Sequence, residues 1–123
     1  MKNLIAFTLL VTFSSISLAE EFWTAPLHVE EVSAWYQSGK NRMAIKTAEP
    51  ITKENGAVVS GCSLGDSENL VGYYNDNNIN ERNRLIYSTA LNAYNLNSKV
   101  QLYMETSCNS IVGWDLHGIK AVQ

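Results

Sequence analysis

Asp115 and His117, two residues apart, are the best-placed pair in the chain for acid–base chemistry. On a strand, residues two apart share a face, so the carboxylate can hold the imidazole and set its tautomer. The simpler reading of the same residues is a solvated polar face opposite Trp114, Leu116 and Ile119. Serines are plentiful, but His28 and His117 are the only histidines, and neither belongs to a nucleophile motif. Glu30 and Glu31 are adjacent, so a strand points them to opposite faces. Asp66 and Glu68 sit in a turn, with nothing apolar beside them to raise a carboxyl pKa for general-acid work. Asp76, Asn78 and Asn80 begin a calcium-loop spacing, but Glu81 stands where that loop demands Gly and Tyr87 where it demands Glu. A helix cap explains the same asparagines. These residues predict no catalytic set, no metal site and no cofactor.

The aromatic residues are more informative. Trp23, Trp35, Tyr36, Tyr73, Tyr74, Tyr103 and Trp114 all fall outside the one expected helix. Sugars stack their apolar faces on such rings while Asn, Asp and Ser bond the hydroxyls. Small β domains also bury aromatics as core. Trp35, Tyr36, Tyr73 and Tyr74 are the candidate ligand-binding residues, and Trp35 alternates against Val32, Ala34 and Tyr36.

The elements that must position these rings are mostly strands. Val29 to Gln37 alternates, Ser38-Gly39-Lys40-Asn41 is a turn signal, and Arg42 to Ala48 resumes the alternation, so the two form a hairpin. Asn55-Gly56 marks a further turn. Ala57 to Leu64 reads as a third strand carrying Cys62, and Asn69 to Tyr74 as a further extended piece. A helix follows, capped by Asn80, with Glu81 in its first turn and an apolar stripe of Leu85, Ile86, Thr89, Ala90, Ala93 and Tyr94. Asn95 or Asn97 ends it in a left-handed conformation. Lys99 to Thr106 alternates Val100, Leu102 and Met104 against Gln101, Tyr103 and Glu105. Ser107 to Ser110 turns, and Ile111 to Val122 forms the last strand or pair of short strands. This order predicts a mainly β, α+β domain. An OB-type five-stranded barrel with the helix between strands three and four fits it, and so does an open antiparallel sheet with one packed helix. The barrel leaves fewer exposed edges.

Residues 1–19 have the layout of a secretory signal peptide. Lys2 is the positive start, Leu4 to Phe13 the apolar run, and Ser17 and Ala19 the small residues of a cleavage site. The run is too short for a membrane span, which needs roughly twenty apolar residues. Residues 20–123 are then a single exported domain, periplasmic or secreted, with no membrane insertion after cleavage. In an oxidising compartment Cys62 and Cys108, the only cysteines, are expected to form a disulfide. The chain-entropy model gives such a loop roughly 4 kcal/mol of stabilisation. The whole chain carries nine basic and twelve acidic residues, a formal net charge of −3. Losing Lys2 makes the balance more acidic, and the remaining basic residues form no stripe. Nucleic acid and anionic membrane surfaces are therefore excluded as partners.

Ala19-Glu20-Glu21-Phe22-Trp23-Thr24 resembles the start of the mature binding subunits of subtilase-cytotoxin-like and pertussis-like pentameric bacterial toxins. Gly61-Cys62-Ser63-Leu64 is similar to their third-strand cysteine segment. Tyr87 to Tyr94 followed by Val100 to Tyr103 resembles their helix and the strand after it, and Leu70-Val71-Gly72 and Ile111-Val112-Gly113 echo their apolar-Val-Gly pieces. The resemblance spans most of residues 20–123. It implies an OB-type fold, a ring of five subunits and recognition of cell-surface glycans. Two departures stand out. Those subunits carry a second-strand cysteine where this chain has Met43-Ala44-Ile45, and their sugar-contacting serine loop has no match in Pro26-Leu27-His28-Val29. No binding residue is therefore transferred from the family. The expected function is a non-enzymatic binding module for a glycan or a protein surface, and a homo-oligomer. The alternatives are a periplasmic interaction or inhibitor protein, and a small hydrolase using Asp115 and His117.

Overall fold

The structure, a computed structural model, describes residues 20–59, 69–76, 81–109 and 111–122. The expected leader, residues 1–19, lies outside them, as do Cys62, Asp66, Glu68, Asn78 and Asn80. Among the described residues no helix is long and apolar enough to cross a membrane.

The protein is mainly β with one helix. The order is β1 (Glu21–Trp23), β2 (Leu27–Gln37), β3 (Lys40–Thr47), β4 (Leu70–Asp76), α1 (Glu81–Leu96), β5 (Lys99–Asn109) and β6 (Gly113–Val122). The expected hairpin forms through a tight two-residue turn. Ser38 and Gly39 take φ of 53° and 77°, and Gln37 pairs with Lys40. Positive φ at both positions gives the turn the twist of the flanking strands, so β3 starts at Lys40 rather than at Arg42. β3 pairs antiparallel with β4, and β6 pairs parallel with β4 and antiparallel with β5. β5 also meets β1 at Glu21–Trp23 and β2 at Leu27 and His28. Pairing thus runs β5–β2–β3–β4–β6 and back to β5, with uneven seams. Val71↔Trp114 and Gly72↔Asp115 are the pairs joining β4 to β6.

Thr24 bridges the break between β1 and β2. It is fully buried; its N–H donates to the Leu102 carbonyl at 2.8 Å, and its hydroxyl oxygen accepts from the Leu102 N–H at 3.0 Å. The alternation expected of β5 holds, with Val100, Leu102 and Met104 fully buried. Each such side chain contributes roughly 1.5–3 kcal/mol through burial. They pack with Met43, Ile45, Val71 and Trp114 in one core. Two glycines let neighbouring backbones approach. A Cβ on Gly72 would lie 2.1 Å from the Met43 carbonyl oxygen, and one on Gly113, which has φ of 77°, would lie 1.9 Å from that of Leu70.

Three sequence expectations need correction. Ala57–Val59 is not a strand; Val58 makes one isolated bridge to Thr52, and residues 60–64 lie outside the description. The Asn55-Gly56 turn folds this segment back on itself instead, with the Lys53 N–H donating to the Ala57 carbonyl. The turn expected at Ser107–Ser110 is strand as far as Asn109, because β5 continues past a bulge to pair Cys108 with Trp114. The stripe of α1 is narrower than expected and includes a polar residue. Asn83, Ile86, Ala90 and Ala93 are buried, whereas Leu85 is 60% and Tyr94 48% exposed. The small alanines bring the helix close to β2 and β6, which leaves its flanks in solvent. α1 ends at Asn97, at φ of 51°. The Ser98 N–H donates to the Ala93 carbonyl and the Asn97 N–H to that of Tyr94, the paired bonds of a Schellman cap.

Candidate functional site

Where the tip of the β2–β3 hairpin and β4 face the start of α1, a cleft of about 320 Å³ opens, lined by Ala34, Trp35, Asn41, Arg42, Tyr73, Asn83, Arg84 and Tyr87. That volume is at the small end of ligand pockets. Trp35 pairs across the hairpin with Arg42, so the register places an indole and a guanidinium side by side. Gln37, two residues on from Trp35, accepts from both. Its Oε1 takes the Trp35 Nε1–H at 3.2 Å and an Arg42 Nη1 hydrogen at 3.2 Å. Arg42 and Asn83 are buried, each 3% exposed. Tyr73 and Tyr87 pack against the core while also lining the cleft. The walls therefore combine three aromatic rings with amide and guanidinium groups, a set suited to a ligand with apolar faces and many acceptors.

Of the four predicted ligand-binding residues, the structure brings Trp35 and Tyr73 together here. Tyr36 points elsewhere; it is 71% exposed, with its hydroxyl beside Gly39. The Tyr74 side chain lies outside the described residues. Cys108 is partly buried against the core, and its expected partner Cys62 is not described. Sequence reasoning missed Asn41, Arg42, Asn83, Arg84 and Tyr87. The available signal was Asn83, a polar residue at a core position of the helix, with Tyr87 one turn further on.

A second cluster sits on β1, β5 and β6. The Asp115–His117 pair forms as its spacing predicts, with His117 Nε2 3.0 Å from Asp115 Oδ2. Two residues distant in sequence join it. His117 Nε2 lies 3.3 Å from Glu105 Oε2, and Nδ1 3.3 Å from Glu21 Oε1. The Tyr103 hydroxyl donates to Glu21 Oε2 at 2.9 Å. That bond holds the phenol proton and, with desolvation and the nearby charge, raises the Tyr103 pKa above its ordinary value of 10.0. The Trp23 and Tyr103 rings lie tilted against each other with centres 5.2 Å apart, and Lys120 Nζ lies 4.3 Å from the centre of the Trp23 ring.

His28 belongs to a third arrangement. Its backbone N–H donates to Glu49 Oε2 at 2.7 Å, and its Nδ1 meets Glu49 Oε1. Burial pushes the Glu49 pKa up, but the side-chain and backbone bonds from His28 outweigh it, and the net shift is downward. Comparison with known families, with curated proteins and with solved structures finds no match to this chain.

Proposed function

We propose that this chain is an exported, non-enzymatic binding module that recognises a glycan through the cleft between α1 and the β2–β4 sheet. The convergence of Trp35, Tyr73 and Tyr87 with Asn41, Asn83, Arg42 and Arg84 carries this reading. Rings take the apolar face of a pyranose, and amides and guanidiniums donate to its oxygens. Arg84 adds a charge-assisted donor and, among the described residues, none of the lining is acidic, so acidic glycans fit best. Among the described residues the lining offers no carboxylate or imidazole for proton transfer, which favours binding over catalysis.

The fold reading that goes with this is an OB-type barrel. β1 and β2 are two halves of one bent first strand, β3 to β6 are strands two to five, and the helix falls between strands three and four. The parallel β4–β6 seam supports it. A Cys62–Cys108 disulfide ties the segment before β4 to the end of β5. Export follows from the leader, and the resemblance to pentameric toxin binding subunits adds a ring of copies, through which weak sugar sites gain avidity.

A glycan array tests the central claim. The wild-type protein is expected to bind, with acidic glycans leading. Trp35→Ala and Tyr73→Ala are each expected to weaken binding about 10-fold or more with the fold intact by circular dichroism. An array without hits, or binding that survives both substitutions, would overturn the glycan reading. The exposed Leu85, Leu96 and Val58 support the second reading, a protein-interaction or inhibitor module, which a blank array would leave in place.

A further inference from the structure

The cluster around His117 is independent of the cleft, since β1, β5 and β6 contribute nothing to the cleft lining. Register builds it. Glu21 pairs with Glu105, and Glu105 with Asp115, so three carboxylates stand in one cross-strand row. Like charges directly opposite one another destabilise a sheet. His117 is brought to this row by a bulge; Tyr103 pairs with Gly118 and Met104 with Leu116, which leaves His117 as the extra residue. A protonated His117 would still leave the group at net −2, and Lys120 is held over the Trp23 ring.

We propose that Glu21, Glu105 and His117 bind a first-row divalent cation, with Asp115 orienting the imidazole. The ligand atoms of Glu21, Glu105 and His117 already lie within 4.8 Å of one another. Nδ1 is 3.3 Å from Glu21 Oε1. Neighbouring ligands at about 2.0–2.2 Å from a metal are separated by roughly 3 Å, so this spacing matches an edge of a coordination polyhedron. Asp115 sits on the other ring nitrogen and accepts the Nε2 proton at 3.0 Å, the outer-shell role that leaves Nδ1 free to ligate. The Tyr103 hydroxyl fixes Glu21 in turn. One imidazole with carboxylates is a nitrogen–oxygen set that suits Zn²⁺ or Mn²⁺ better than Ca²⁺ or Mg²⁺.

Zinc chloride titrated into chelator-treated protein near neutral pH is expected to show saturable binding of one ion per chain by calorimetry. His117→Gln is expected to abolish the heat, and Asp115→Asn to weaken binding about 10-fold. The Glu30→Gln/Glu31→Gln double variant is expected to bind like the wild type. Because His117→Gln can disturb the bulge, Mn²⁺ added to ¹⁵N-labelled wild-type protein gives a second test. Selective broadening at residues 21, 105, 115 and 117 supports the site. No saturable heat, unchanged binding by His117→Gln, or broadening centred elsewhere, such as His28 and Glu49, would overturn it.

Discussion

Gln37 does not line the cleft, yet its carboxamide oxygen fixes two residues that do. A binding surface built from an indole and a buried guanidinium depends on such a link, because each group alone has several rotamers. Glu49 plays a comparable part at the start of β2, where it accepts twice from His28. Its folded pKa lies below the ordinary 4.5. The unfolded chain therefore takes up the proton first as pH falls. The stability that Glu49 contributes is complete above 4.5 and is lost as pH drops through the lower folded value. Glu49→Gln is expected to be less stable than the wild type at neutral pH, the difference shrinking below pH 4.5. Urea melts of both proteins across that range check this, and a gap that stays constant into strong acid would contradict it.

At the scale of elements, β4 is tightly constrained, since its glycine lies against the backbone of β3. Gly72→Ala must push two paired strands apart, with an expected cost on the order of 3 kcal/mol, read from chemical denaturation. Gly72 belongs to one of the apolar-Val-Gly pieces visible in the sequence, and the structure supplies the physical reason for its glycine. The hairpin, the alternation of β5 and the body of the helix were all legible, because each has a local period and a local stop signal. Trp35 and Tyr73 could be picked out as exposed-ring candidates for the same reason. Arg42 and Arg84 could not, and for Asn83 and Tyr87 the one signal was a polar residue in the core stripe of the helix a turn before an aromatic. They come together only when the start of α1 lies over the hairpin, and nothing in a single segment records that. Glu21 and Glu105 escaped notice likewise, since a cross-strand row exists only after pairing. The third-strand assignment failed because Ala57–Val59 has strand-forming composition, while the Asn55-Gly56 turn returns the chain on itself.

For the whole molecule, the proposed ring of subunits makes a direct claim about mass. Light scattering on the purified, oxidised protein is expected to give about five times the chain mass. A monomer would remove the avidity that weak sugar sites need and favour the protein-interaction reading. The parallel seam has a further consequence, for the timing of biogenesis. β6 is made after every other described strand, yet it is the partner of both β4 and β5. A nascent chain that has not reached residues 113–122 leaves those two strands unjoined and Trp114 missing from the core. Pairing of this kind joins residues far apart in sequence and forms slowly. The domain therefore cannot close its core until residues 113–122 are present, a delay that suits the proposed export, because a translocation channel accepts an unfolded chain.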